Sequence, residues 1–513
     1  MTESNPVASD PIRFLLNGRL VEAAALPTET LLDHLRERQH CRGVKEGCAE
    51  GDCGACTVAL GELDGAPGAE RLTWRAVNAC IRFLPSVDGK EVVTAEGLAE
   101  DDGRGRLHPV QQALVDHHGS QCGFCTPGFV MSLFVDGLNR AVAGGDQRPT
   151  RDGLLDALSG NLCRCTGYRP ILDAGLAAAD LPPSQRWSAA AATAPERIER
   201  LRALQRPGGT ALPGFRAPRS LADFAAAYAA QPDALILAGG TDVGLWVTKQ
   251  LRTLPPILSI AEVAELRAVQ TAADGSLILG AAVRLEEAFA ALVAAHPALT
   301  ELAGRFASRP IRNAGTLCGN VANGSPIGDA MPALIALGAR VRLRQGEATR
   351  ELALEDLYLG YQKKDLRAGE FVEAVVVPAA RTEPGLDTRF ALYKVAKRID
   401  QDISAVCAGL AVTLQGGVVA EARLAYGGLA ATPQRARHAE QALLGQAWDA
   451  VNGPAAIEAA VAALDADFTP LSDLRASQAY RRAVAGNLLR RFWLEGQGGA
   501  RPLRIADIRP VAA

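Results

Sequence analysis

Short apolar runs separated by turn residues dominate the first ninety-odd positions. Ile12–Leu16, then Asn17-Gly18, then Arg19–Val21 predicts a strand, a tight turn and a second strand. Thr30 and Asp33 form a capping-box pattern around Leu31, Leu32 and Leu35, predicting a short helix. Thr57–Leu60 and Leu72–Ala79 read as further strands. From residue 96 to 180 the spacing becomes helical, over His108–Asp116, Thr126–Leu138, Asp152–Leu158 and Pro170–Ala179. Thr126 and Pro127 make an N-cap and first-turn pair. Pro, Ala and Gly then crowd Leu181–Pro213, which predicts a linker with a short helical segment around Glu196–Gln205.

Beyond it, Leu221–Ala230 has helical spacing, and Ala234–Leu237 is an apolar strand running into Ala238-Gly-Gly-Thr-Asp242. Strands are expected at Leu277–Gly280, Val341–Leu343, Phe371–Val377 and Arg389–Val395, with helices at Leu285–Ala295 and Asp329–Leu337. This mixture predicts an α/β domain to about residue 385. A last α+β stretch follows, with helices at Ile457–Leu464 and Ala476–Leu494 and no repeat at solenoid periods.

The length, 513 residues, is enough for several domains at roughly 100–200 residues each. Lys and Arg (54) nearly balance Asp and Glu (57), leaving a net charge of −3 and no basic excess for nucleic acid or anionic membrane. Apolar residues at 48% and charged ones at 22% exclude bulk disorder. Met1–Asp10 has neither the basic nor the apolar region of a signal peptide, and no apolar run is long enough to span a bilayer. A soluble cytoplasmic protein is expected. Nine of the 11 cysteines lie between Cys41 and Cys165, and in a reducing compartment such clusters point to metal or redox chemistry.

Cys48-x4-Cys53-x2-Cys56, with Cys80 further on, is the plant-type spacing for a [2Fe–2S] cluster. Gly47, Gly51 and Gly54 let such a loop wrap closely and point N–H groups at sulfur. A four-thiolate zinc site is the alternative. Cys122-x2-Cys125 and Cys163-x-Cys165 supply four more thiolates, each pair near a predicted helix start. Spacing alone suits zinc or iron–sulfur equally there, and the ferredoxin-like neighbour tips the reading to a second cluster. Cys407 reads as a small core residue; Cys41 and Cys318 receive no role.

The stretches Glu46–Cys56, Gln121–Phe129 and Gly160–Pro170 resemble the two cluster domains of the xanthine dehydrogenase family of molybdenum hydroxylases. Ala238–Asp242 and Ile311–Asn323 resemble that family's flavin domain. The resemblance implies a multidomain α+β fold. Its parts are a ferredoxin-like (β-grasp) domain over 1–95, a helical [2Fe–2S] domain over 96–180 and a linker over 181–212. An α/β FAD-binding domain of the molybdenum hydroxylase flavoprotein type covers 213–385, and a C-terminal α+β domain covers 386–513.

It also implies cofactors and partners. Cys48, Cys53, Cys56 and Cys80 would hold the cluster nearer the flavin; Cys122, Cys125, Cys163 and Cys165 would hold the one nearer molybdenum. Gln121 and Cys165 would approach the molybdopterin of a separate large subunit, in a two-plus-two assembly. FAD would be contacted by Leu237, Ala238, Gly239, Gly240, Thr241, Asp242, Val243, Phe306, Thr316, Gly319, Asn320, Asp329 and Lys394. Backbone N–H groups at Gly239-Gly240-Thr241 suit a pyrophosphate, although the family often carries Asn where this chain has Gly240. NAD+ would dock near Tyr361, Arg398, Asp400 and Asp402. The implied activity is electron transfer from molybdenum through both clusters to FAD and then NAD+, in oxidation of hypoxanthine or xanthine to urate. Aldehydes, heterocycles or acyl-CoA thioesters are the alternative substrates, and a zinc-stabilised scaffold is the alternative class.

Overall fold

Ile12–Leu16 and Arg19–Ala23 pair antiparallel through Asn17–Gly18, where both turn residues take positive φ, as a two-residue hairpin with right-handed strand twist requires. This hairpin opens a computed structural model that describes residues 10–65, 68–100, 105–144, 148–381, 383–399 and 401–498. The chain forms two units. One takes in the described residues of Met1–Phe224, Asp233–Val263 and Ser308–Gly315; the other takes in those of Ala225–Pro232, Ala264–Ala307 and Thr316–Ala513.

In the first unit the hairpin joins a five-stranded sheet. Its order is Arg19–Ala23, Ile12–Leu16, Glu91–Val93, Thr57–Asp64, Arg71–Asn78, and only Ile12–Leu16 with Glu91–Val93 is parallel. Side-chain alternation serves both faces. Phe14, Val58, Leu60 and Val92 pack with Leu31, Leu32 and Leu35, whereas Leu15, Ala59, Trp74 and Val93 join a core with the helices that follow. Thr30 Oγ1 accepts from the Asp33 N–H at 3.1 Å, so the capping pattern is used. The α-helix is only Leu31–Asp33, continuing as a wider π turn over His34–Arg38.

Four helices make the next layer: Pro109–Asp116, Thr126–Ala143, Arg151–Ala157 and Arg169–Ala177. The longest buries Phe129, Leu133, Phe134 and Leu138, and Pro127 sits in its first turn; the cap position falls on Cys125, not on Thr126 as expected, because Thr126 is already helical. The Pro- and Ala-rich text after them is packed rather than free. Trp187 and Leu201 are buried, Pro195–Leu204 is helical, and Trp74 Nε1 donates to the Ala192 carbonyl at 3.3 Å. Trp187, Ala192, Leu201 and Leu204 all join the core with the preceding helices. A four-stranded sheet ends the unit, in the order Thr210–Leu212, Phe215–Ala217, Ile257–Ser259, Leu235–Leu237.

The second unit contains two larger sheets and the short hairpin Tyr358–Gly360 with Lys363–Lys364. One is antiparallel, in the order Val269–Thr271, Leu277–Gly280, Phe371–Val377, Arg340–Gln345, Ala348–Ala353. The other runs Leu386–Val395, Val406–Gln415, Val418–Gly427, Gln434–Arg435, and packs a core of Tyr426, Trp448, Phe468 and Phe492 with the helices Arg437–Leu443, Gly453–Asp467 and Gln478–Glu495. The hairpin Val406–Gly427 was not marked by the sequence pattern. It is buried on both faces near Cys407, so alternation is lost. The architecture is multidomain α+β, and among the described residues no helix is long and apolar enough to cross a membrane.

Candidate metal and cofactor sites

The loop after the short first helix carries Cys48, Cys53 and Cys56, and Cys80 sits just past strand Arg71–Asn78. The structure brings these four together. Cys48 contacts Cys53, Cys56 contacts Cys80, and Cys80 also reaches Cys48. Sulfur contact with Cys53 and Cys80 holds the Cys48 thiol well below its ordinary range, while contact with Cys48 pushes Cys53 and Cys80 well above theirs. The N–H groups of Asp52 and Cys53 donate to Cys48 Sγ at 3.4 and 3.3 Å, and Asn78 Nδ2 approaches Cys56 Sγ at 3.9 Å. Cys56 and Cys80 are buried.

The second set closes from the Cys122–Cys125 turn ahead of helix Thr126–Ala143 and the Cys163–Cys165 turn after helix Arg151–Ala157. Cys125 pairs with Cys163 and Cys122 with Cys165. Burial, reinforced by the Cys163 contact, pushes the Cys125 thiol up to about 12. Cys163 Sγ accepts from the Thr166 N–H at 3.5 Å. Cys122 and Cys165 are exposed, as are Gln121, Phe124 and Leu162 beside them in sequence. Among the described residues, no three His, Cys, Asp or Glu side chains converge on a point for one metal ion. In the second set the sulfurs go two and two, and in the first Cys80 bridges Cys48 and Cys56; four thiolates so gathered suit a two-iron cluster in which each iron takes a thiolate pair. The N–H groups aimed at sulfur fit the same group.

Residues that spacing did not single out join the two sets. Gly54 (φ +69°) lies so close to the second loop that a Cβ there would come within 2.1 Å of the Gly160 carbonyl. Asn161, 3% exposed, donates Nδ2 to the Gly54 carbonyl at 3.2 Å and accepts from Ser132 Oγ at 2.6 Å. The Leu162 N–H donates to the Cys53 carbonyl at 3.0 Å. Asn161 stands two residues before Cys163, inside the Gly160–Pro170 stretch that carries the family resemblance, but the cysteine spacing gave it no role.

Candidate flavin residues occur in both units. In the first, strand Leu235–Leu237 leads through Ala238, Gly239, Gly240 and Thr241 to Asp242, at the head of helix Val243–Thr248. A Cβ on Gly239 would come within 1.9 Å of the Ala314 carbonyl, so this loop is pressed onto residues 314–315. Burial raises the Asp242 carboxyl above its usual range. The helix behind the loop reaches the first thiol set: Thr248 Oγ1 donates to the Ala49 carbonyl at 2.6 Å and Lys249 Nζ to the Cys48 carbonyl at 2.9 Å.

In the second unit Thr316 caps helix Leu317–Asn323 by accepting from the Gly319 N–H at 2.9 Å. The Asn320 Oδ1 is buried with no hydrogen-bond partner, an acceptor that a bound polar group would satisfy. Phe306 packs on Phe289 with ring centroids 4.9 Å apart. Lys394 and Asp329 form a buried ion pair; Lys394 Nζ also donates to the Asp402 carbonyl at 2.8 Å and to Ser404 Oγ at 3.1 Å. Arg398 and Asp402 pair at 3.6 Å. Partial burial opposes ionisation of Asp402, yet the Arg398 backbone N–H and charge hold its carboxyl below the usual range. Tyr361 is exposed, on the separate hairpin Tyr358–Gly360 and Lys363–Lys364. Asp400 lies outside the described residues.

Four stretches match known protein families. Residues 14–83 match the 2Fe-2S iron-sulfur cluster binding domain and 94–176 the [2Fe-2S] binding domain. Residues 213–380 match the FAD binding domain in molybdopterin dehydrogenase, and 391–496 the CO dehydrogenase flavoprotein C-terminal domain. Xanthine dehydrogenase 2 of Arabidopsis thaliana is 32% identical over 86% of this chain and 36% of its own length. Aldehyde oxidase 2 of Mus musculus is 30% identical over 95% of this chain and 39% of its own length. The chain thus spans well under half of these relatives. A solved chain of Cu,Mo-CO dehydrogenase in its cyanide-inactivated form is 28% identical over 56% of this chain and 97% of that one, with a TM-score of 0.49.

Proposed function

This chain belongs to the molybdenum hydroxylase family, as an oxidoreductase part with two [2Fe–2S] domains and an FAD-binding domain, and we propose that it carries electrons from a molybdopterin-bearing partner subunit to NAD+. Bound at these sites, the clusters would pass single electrons and the flavin would gather two for hydride transfer. One observation supports the order most directly. The first thiol loop is hydrogen-bonded on one side to the second, through Cys53 and Leu162, and on the other to the helix behind residues 237–243, through Thr248 and Lys249.

The residues divide the work accordingly. Cys122 and Cys165, exposed beside Gln121, Phe124 and Leu162, form the side that meets the partner. Cys48, Cys53, Cys56 and Cys80 hold the inner cluster, with Cys56 and Cys80 shielded from water. Leu237–Val243, Phe306, Thr316, Gly319, Asn320, Asp329 and Lys394 hold FAD. Arg398, Asp402 and Tyr361 receive NAD+. The partner's substrate is hypoxanthine or xanthine, oxidised to urate in the cytoplasm; relatives that include aldehyde oxidase 2 make an aldehyde the second reading.

Purification of the native complex tests this. A molybdopterin-containing subunit should accompany the chain, with about four Fe and one FAD per chain. Xanthine plus NAD+ should give NADH. Activity on an aldehyde alone would move the substrate and spare the electron path. A colourless protein holding zinc would overturn the whole reading.

A further inference from the structure

The short helix Arg309–Ala314 carries no thiol, yet its residues reach three functional stretches of the same unit. Arg309 and Arg312 both pair with Asp156, Arg312 at 2.6 Å, and the Arg309 N–H donates to Ser159 Oγ at 3.0 Å. Asp156 lies in the helix that leads to Cys163. Asn313 Nδ2 donates to the Ala76 carbonyl at 2.9 Å, on the strand that leads to Cys80. Ile311 packs on the first thiol loop, where a Cβ on Gly51 would come within 3.0 Å of its Cδ1. At the helix's end the Ala314 carbonyl presses on Gly239.

Six residues do not make a self-supporting helix. Its place is set by what holds it, and a carboxylate bonded to two guanidinium groups is a strong polar contact. Arg312 is 3% exposed, so pairing with Asp156 offsets part of the cost of burying its charge. Because Ala314 and Gly239 are in hard contact, a shift of the helix is passed to the loop rather than absorbed.

We propose that Asp156 is a positioning residue: by holding Arg309 and Arg312 it fixes helix Arg309–Ala314, and through Ala314 it sets the flavin loop at Gly239 and through Ile311 the first thiol loop at Gly51. The loop's part in this rests on the flavin role given above to Leu237–Val243. A clamp in the second cluster domain thereby governs cofactor placement elsewhere in the unit.

The test uses the full chain, purified with its accompanying subunit, as wild type, Asp156→Ala, Asp156→Asn and the control Asp152→Ala from the exposed first turn of the same helix. Iron content, FAD affinity after removal and readdition of FAD, and the electron paramagnetic resonance signals of the two reduced clusters are measured. Asp156→Ala should keep its iron and its second-cluster signal, bind FAD about tenfold or more weakly, and shift the first-cluster signal, since displacements of about 1 Å carry large costs at positioned sites. Asp156→Asn should be intermediate and Asp152→Ala unchanged. Wild-type FAD affinity and an unshifted first-cluster signal in Asp156→Ala would overturn the proposal. So would loss of iron in both Asp156 variants, which would make the clamp a folding element only. A wild-type chain that takes up no FAD would sink the flavin reading instead, and the clamp would then stand or fall on the first-cluster signal.

Discussion

Leu162 donates its backbone N–H to the Cys53 carbonyl at 3.0 Å, so a residue adjoining one thiol set is bonded directly to a member of the other. The two loops are more than a hundred positions apart in the chain, and the Asn161 side chain adds a second bond between them, to the Gly54 carbonyl. Side-chain changes nearby can therefore loosen it without removing any cysteine.

Asn161 is the side chain to change first. Replacing it with Ala removes the donor to the Gly54 carbonyl and leaves Ser132 without its acceptor in a buried place. The expected cost is about 1–3 kcal/mol. Urea unfolding of the iron-loaded protein measures it, and iron should be released at lower urea from the variant.

Trp187 holds the stretch 181–212 to the first unit. It is 3% exposed, lies edge-on to Trp74 and Phe134 at 5.6 and 5.2 Å, and has the Arg197 guanidinium 4.5 Å from its ring centroid. Trp187→Ala should cost about 3–5 kcal/mol. Limited proteolysis should then cut within 181–212, where the wild type resists.

His108 makes stability depend on pH. Its ring is buried against Phe134, and Nδ1 accepts from the Val110 N–H at 3.2 Å, a bond that the neutral ring makes. Burial lowers its pKa to about 4 from 6.5, against a smaller upward pull from Glu100. The folded state therefore disfavours the proton that the unfolded chain accepts. Stability is full above pH 6.5 and falls as pH drops towards 4, by about 3 kcal/mol in total. His108→Asn keeps a capping side chain and should flatten that part of the pH profile in urea unfolding.

Asp329 and Lys394 form a buried pair, and removing one partner strands the other. Asp329→Ala should cost about 3–5 kcal/mol, as measured by thermal or chemical unfolding. The double variant Asp329→Leu with Lys394→Met should recover most of that loss. Recovery of stability without recovery of FAD binding would separate the packing role of the pair from its cofactor role.

Local chemistry was the legible part. The Asn17–Gly18 turn, the Thr30 cap and the proline-led helix at Thr126 depend on residues within a few positions of one another, and the structure uses each of them. The packed stretch around Trp187 and the hairpin Val406–Gly427 were harder to read. Their conformations come from burial against distant residues, which leaves no period in the text. In the candidate site, cysteine spacing pointed to eight sulfurs, while Asn161, Asp156, Arg309 and Arg312 carried no spacing signal at all.

By itself the sequence determined the membership of the two thiol sets and the local turns that present them, because close spacing along the chain confines where a sulfur can go. Only the tertiary structure decided which sulfurs pair, which set is exposed, and that residues 308–315 pack with the cluster domains. Those outcomes follow from long-range contacts such as Gly54 on Gly160 and Arg312 on Asp156. Such contacts join residues whose types are ordinary and whose separation along the chain is arbitrary, so only the folded packing selects them.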